Sequence, residues 1–221
     1  MSIQHNLQQI KSELPNHVTL VAVSKTKPIA DLMEAYNAGQ RIFGENKIQE
    51  MSEKWEQMPK DIQWQMIGHV QSNKVKFMAP YVNLIHGVDS QKLLEEINKQ
   101  ALKNNRIINC LLQIYIAEEE SKFGLDEQEL DVLLQNLTNN PKAFSNIKII
   151  GLMGMATFTE NKAQIKKEFL NLKNIFEKYK NIQTENCQFT TLSMGMSGDY
   201  QLAIESGSTM VRIGSSIFGS R

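Results

Sequence analysis

Eight short apolar runs, all but the last followed by a helical pattern, predict an α/β chain closed into a single (β/α)8 TIM barrel spanning residues 1–221. Two further observations point the same way. Several runs are almost wholly apolar, as parallel strands are when helices cover their outer side. No G-x-G-x-x-G follows the first run, which weighs against the rival open, doubly wound dinucleotide fold.

The elements follow in order. The polar, amphipathic start MSIQHNLQQIKSELPNH carries a helix over roughly residues 3–14. VTLVAVS (18–24) is the first strand, and Pro28 is placed to open the next helix, 30–40, with Gly39 at its end. RIFGEN (41–46) leads into a helix over 45–58, WQMIGH (64–69) into 71–79, LIHGVD (84–89) into 90–104. INCLLQIYI (108–116) precedes a helix over 126–138, and IIGLMGMA (149–156), with Gly151 marking a joint, precedes 160–180. TTLSMGMS (190–197) and a helix over 198–206 lead through the joint at Gly207 to the last strand, TMVRIGSS (209–216). Only IFGSR remains, too short for an eighth helix, so the N-terminal helix is expected to cover that gap.

Composition narrows the function classes. Twenty-four basic and 24 acidic residues give no net charge, and no basic stripe suggests nucleic-acid binding. The N-terminus lacks the apolar core of a signal peptide, and no run reaches membrane-span length, so a cytoplasmic protein is expected. Cys110 and Cys187 have no metal-ligand or redox spacing and read as reduced, structural thiols; no metal site is expected.

Barrel proteins build their sites at the C-terminal ends of the strands. There the sequence places Lys25, Asn46, His69 and Asp89 after strands one to four, Ser197 after the seventh, and Arg212, Gly214 and Ser215 in or after the eighth. Asn46 and Asp89 are also good helix N-caps, and for Asp89 capping is the favoured reading. His69 taken alone reads as a satisfied, half-buried histidine, and His86, inside strand four, as structural. Alternation turns Val211 and Ile213 outward and Arg212 inward beside Met210, where a guanidinium needs an acceptor, either a barrel carboxylate or a ligand. MGMSGD and RIGSS bring glycines and hydroxyls to the pair of loops where barrels often bind phosphate. A lysine, a phosphate cradle and an inward arginine together suit pyridoxal 5′-phosphate (PLP), an aldehyde cofactor that forms an imine (Schiff base) with lysine. A phosphosugar enzyme of the aldolase type would share the first two features.

AVSKTKP, FGENKIQE, IGHVQSNK, GLMGMA and LSMGMSGDYQLAIESGSTMVRIGSSIFGSR resemble, in this order from about residue 18 onward, the pyridoxal phosphate homeostasis family, the YggS/PROSC-like group. GLMGMA departs mildly from the commoner family forms at its fourth and later positions, which touches the pocket lining. The resemblance implies a PLP fold-type III barrel related to the alanine racemase N-terminal domain. Lys25 would bind PLP covalently, with Lys27 a loop residue. Arg212 would face the pyridine nitrogen, and Ser197, Gly214 and Ser215 would hold the phosphate. Asn46, His69, Met153, Ser193 and Met196 would line the pocket. It further implies a role in vitamin B6 and amino-acid homeostasis without established turnover, as a monomer, with PLP-dependent apo-enzymes as acceptors.

The alternative is a PLP-dependent amino-acid racemase. Racemisation needs a base on each side of the substrate α-carbon, and alanine racemase takes its second, a tyrosine, from an added domain. Here nothing follows strand eight but the last few residues, and of the five tyrosines only Tyr115 and Tyr200 fall near strand C-termini. A guanidinium at the pyridine nitrogen also leaves that nitrogen largely unprotonated, a weaker electron sink. The non-enzymatic reading is therefore expected.

Overall fold

The computed structural model describes residues 2–119 and 123–219. Eight parallel strands close on themselves: β1 (Thr19–Val23), β2 (Ile42–Glu45), β3 (Gln63–Met66), β4 (Leu84–Val88), β5 (Ile108–Gln113), β6 (Ile147–Met153), β8 (Cys187–Met196) and β9 (Met210–Ile213). Each pairs with its neighbour in that order, and β9 returns to β1, so no edge is left open. The two-residue β7 (Gln183–Thr184) is antiparallel to the start of β8 and stands outside the barrel count. The expected seventh and eighth strands are therefore β8 and β9.

The helices fall where the helical patterns stood: α2 (Ile29–Asn37), α3 (Ile48–Gln57), α4 (Val75–Met78), α5 (Gln91–Lys103), α6 (Glu127–Asn139), α7 (Lys162–Tyr179) and α8 (Tyr200–Glu205). Local chemistry sets several starts. Asp126 and Glu129 form a reciprocal capping box on α6, and Asn161 caps α7. The expected Asp89 cap is corrected: Ser90 caps α5, its hydroxyl accepting from the Leu93 N–H. Asn46 is not a cap either, because α3 starts from Lys47.

The tail after the last strand holds one short helix, α9 (Ser215–Phe218), where none was expected. The N-terminal helix α1 (Ile3–Glu13) lies against it and buries Leu7 and Ile10, and the Asn6 amide donates to the Ile217 carbonyl at 3.0 Å. It covers the expected gap.

Strand alternation divides the interior into two compartments. Leu20, Ala22, Phe43, Trp64, Val211 and Ile213 face the helices in the main core. Val21, Leu84, Leu111, Met153 and Met210 fill the barrel itself. Gly151 lies inside β6, at an irregularity in its register with β8, rather than at a joint. Its φ is +150°, and a Cβ there would stand 1.7 Å from the Thr191 carbonyl oxygen, so no larger residue fits where these two strands meet.

Candidate functional site

Above the apolar floor of the barrel lies a polar layer, each member on an inward-facing strand position. The Gln65, His86, Ser193 and Arg212 side chains are all buried. Arg212 donates to the Ser193 hydroxyl at 2.6 Å, to the Ser193 carbonyl at 2.9 Å and to the Gly154 carbonyl at 3.1 Å. Ser193 Oγ lies 3.1 Å from His86 Nδ1, and His86 Nε2 lies 2.7 Å from Gln65 Oε1. Burial and the neighbouring Arg212 charge hold the His86 pKa well below the usual imidazole value, so the ring is neutral. The tautomer follows: Nε2–H donates to Gln65, and Nδ1 accepts from the Ser193 hydroxyl, which in turn accepts from Arg212. His86 is thus structural, as expected, and is wired to the arginine.

Arg212 points inward as alternation predicted. Its acceptors are carbonyl and hydroxyl oxygens, and no ion pair to a barrel carboxylate is found among the described residues. Desolvation lowers its pKa to about 10, which leaves it charged at neutral pH. Three of its five N–H groups are engaged and two remain.

At the C-terminal ends of the strands a cavity of about 540 Å³ opens, within the range of small-molecule sites. Lys25, Asn46, His69, Met196, Ser197, Arg212, Gly214 and Ser215 line it. Two expected lining residues do not: Met153 is part of the apolar floor, and Ser193 lies beneath Arg212. The Asn46 Oδ1 atom is buried without a hydrogen-bond partner, an acceptor in want of a donor. Ser197 Oγ accepts from the Gly214 N–H at 3.1 Å and so ties the two glycine-bearing loops together. Gly198 also lines the cavity, and a Cβ there would meet nothing within 4 Å.

His69 is exposed rather than half-buried. It pairs with Asp89 at 3.3 Å and meets the Phe123 ring edge-on at 4.9 Å. Asp89, free of capping duty, holds that imidazole at the cavity mouth. Sequence reasoning missed several lining groups. Lys27 lies in the loop as expected, and it also lines the same cavity as Lys25, its Nζ donating to the Phe218 carbonyl at 3.0 Å. Phe123 and Phe158 form an apolar rim, and Asp199 lies beside the loops, its Oδ1 accepting from Met196 N–H. Burial raises the Asp199 carboxyl pKa above its usual value, against the lowering pull of the Met196 N–H and Arg212. The polar layer did have a readable signal: glutamine, histidine and arginine at inward positions of otherwise apolar strands.

Neither candidate tyrosine lines the cavity. Tyr200 is buried with its hydroxyl donating to Glu13 on α1, and Tyr115 donates to the Glu119 carbonyl at 2.9 Å. No helix among the described residues is long and apolar enough to cross a membrane, and no group of three potential metal ligands occurs among them. Cys110 and Cys187 are both free and buried.

Comparison with known proteins agrees with this architecture. The alanine racemase N-terminal domain family matches residues 1–221. The chain is 39% identical to the pyridoxal phosphate homeostasis protein of Haemophilus influenzae, covering 100% of this chain and 97% of that one. It is 34% identical to the Escherichia coli K12 protein of that name, over 99% and 97%. PipY of Synechococcus elongatus, solved with PLP bound, superposes with a TM-score of 0.88 at 34% identity, covering 99% of this chain and 100% of that one. Alanine racemase from E. faecalis gives a TM-score of 0.75 at 15% identity, with 58% of its chain covered, a likeness of fold.

Proposed function

The chain belongs to the alanine racemase N-terminal domain family, and within it to the pyridoxal phosphate homeostasis proteins; from that premise we propose that it binds PLP reversibly and serves vitamin B6 and amino-acid homeostasis in the cytoplasm, without turnover. One observation carries the reading. A single cavity holds a lysine, a buried arginine with donors to spare, and two glycine- and serine-bearing loops joined by Ser197.

The residues fit the cofactor. PLP offers an aldehyde, which condenses with a primary amine and releases water, together with a phosphate, a pyridine nitrogen and a phenolic hydroxyl. Lys25 is assigned the amine. Ser197, Gly214 and Ser215, with the backbone at Gly198, are assigned the phosphate, for which hydroxyls and N–H groups are suitable donors. Arg212 is assigned the pyridine nitrogen, because its two remaining N–H groups are donors and its other three fix the guanidinium plane. The unpartnered Asn46 oxygen is an acceptor of the kind a phenolic hydroxyl satisfies. His69, with Asp89 behind it, and Met196 border the ring. Met153 and Ser193 support from below, the first as floor and the second as a brace for Arg212.

The absence of turnover is supported by Tyr115 and Tyr200, whose hydroxyls bond the Glu119 carbonyl and Glu13 and neither of which lines the cavity to act as an opposing base. A single-domain monomer that passes PLP to apo-enzymes completes the reading.

The test is absorbance of the purified protein with PLP, before and after borohydride, followed by mass mapping. Lys25→Ala abolishes the yellow band and the trapped adduct, while Lys27→Ala keeps both. A trapped pyridoxyl group on another lysine refutes the assignment.

A further inference from the structure

Directly behind Lys25 the structure holds a cluster that the PLP site does not absorb. Ser24 to Lys27 form a tight turn, closed by the Lys27 N–H donating to the Ser24 carbonyl at 3.1 Å. Lys25 is the second residue of this turn and Thr26 the third. Thr26 has a φ of +63°, one of two positive values among described non-glycine residues. Turns needing positive φ at the third position take glycine or asparagine, and a β-branched residue there is strained. Such strain persists only where the surroundings over-determine it.

Here they do, through a cluster of charges on β2 and α3, of which Glu45 and Lys54 are buried and Glu50 is partly exposed. Glu50 accepts from the Thr26 N–H at 2.6 Å. Lys54 donates to the Ser24 carbonyl at 2.8 Å and to Glu45 and Glu50, each at 2.7 Å. The Ser24 hydroxyl donates to Glu45 at 2.6 Å. Lys54 and Glu45 are almost wholly buried. Ion pairs of this kind gain little stability over an apolar replacement, and in some proteins they serve instead to fix a conformation. Beyond one another, they bond the Ser24 hydroxyl and carbonyl and the Thr26 N–H, on either side of Lys25.

We propose that Glu45, Glu50 and Lys54 form a clamp that holds the strained Ser24–Lys27 turn and so presents the Lys25 amine to the cavity. They are positioning residues, acting through the backbone on either side of the lysine. The inference rests on Lys25 being the PLP amine, and the experiment separates the two claims.

The apo full-length chain is mixed with PLP, the rate of band formation is followed by stopped-flow absorbance, and the adduct is trapped with borohydride and mapped. Glu50→Ala removes the acceptor for Thr26. Its rate of PLP capture at Lys25 falls roughly ten- to a hundredfold, the range that releasing a strained backbone implies, while its apo melting temperature stays close to wild type. Glu50→Gln keeps an oxygen acceptor and stays within about threefold of wild type. Adding Thr26→Gly to Glu50→Ala recovers most of the loss, since glycine adopts positive φ at no steric cost. If Glu50→Ala loads at the wild-type rate with the adduct on Lys25, the clamp fails and the PLP assignment stands. If the loss tracks apo melting and neither glutamine nor Thr26→Gly restores it, Glu50 is merely structural and the clamp fails. If wild type traps PLP on another lysine, both fall.

Discussion

Replacing His86 with glutamine removes a proton acceptor that folding keeps neutral, and the consequence can be worked out in advance. His86 is fully buried beside the Arg212 guanidinium, and desolvation first, then that charge, push its pKa down. In the unfolded chain the imidazole titrates near its ordinary value of about 6.5. Below that pH the unfolded state takes up a proton that the folded state refuses. Stability is therefore fully present above about pH 6.5 and is lost as the pH falls toward the depressed folded value. With one proton involved, integration from pH 7.5 to 5.5 gives a loss of ~1.4 kcal/mol, a tenfold change in the folded-to-unfolded ratio. Glu45 and Asp199, whose pKa values burial raises, contribute with the opposite sign. They are present in both proteins, so the comparison with His86→Gln cancels them. Glutamine keeps an N–H for Gln65 and a carbonyl oxygen for the Ser193 hydroxyl. Urea unfolding of the apo proteins at the two pH values is the assay. Wild type should lose about 1.4 kcal/mol more than the variant. Equal losses would mean that His86 is not held neutral, and the directional chain from Arg212 to Gln65 would be wrong.

Other outcomes follow from the same geometry. Arg212→Met should weaken PLP binding about ten- to a hundredfold, the worth of a charge-assisted hydrogen bond, and unchanged affinity with a large fall in apo stability would remove its ligand role. Gly151→Ala forces a Cβ against the Thr191 carbonyl, and should cost more than about 3 kcal/mol in chemical denaturation; a near-neutral variant would show that β6 and β8 do not meet as described. Racemisation of alanine and other common amino acids should be negligible, and a rate of ~1 s⁻¹ or more that Lys25→Ala abolishes would overturn the carrier reading.

The barrel was legible because its strands are strongly apolar and because glycine, proline and cap residues separate them from helices of a different period. Arg212 and its inward aim followed from simple alternation on β9. Counting by twos worked less well on β8, whose register with β9 shifts between Ser193 and Met196, where Gly195 takes a φ of +99°. Ser193 is therefore buried under Arg212 while Met196, three residues on, reaches the cavity. The Asp89 cap failed by one residue: Ser90, with the shorter side chain, reaches the first turn, which leaves Asp89 to pair with His69. Phe123 and Phe158 sit on loops, where no periodicity says which way a ring points. The clamp behind Lys25 was hidden for another reason. Glu45, Glu50 and Lys54 look like ordinary surface charge in FGENKIQE and the helix after it, and only the tertiary packing brings them together and buries Glu45 and Lys54.

The helix that fills the last opening of the barrel has a consequence for biosynthesis. Asn6 and its partner Ile217 are 211 residues apart. On a ribosome adding about 5–20 residues per second, α1 emerges roughly 10–40 s before the segment it docks against. Through most of that interval α1 has its α2 neighbour but lacks α9, and the segments around Ser197, Gly214 and Ser215 are also still missing. The N-terminal helix can therefore dock fully only once residues 197–217 have emerged, and the cavity that those residues help to line is incomplete until the barrel is shut.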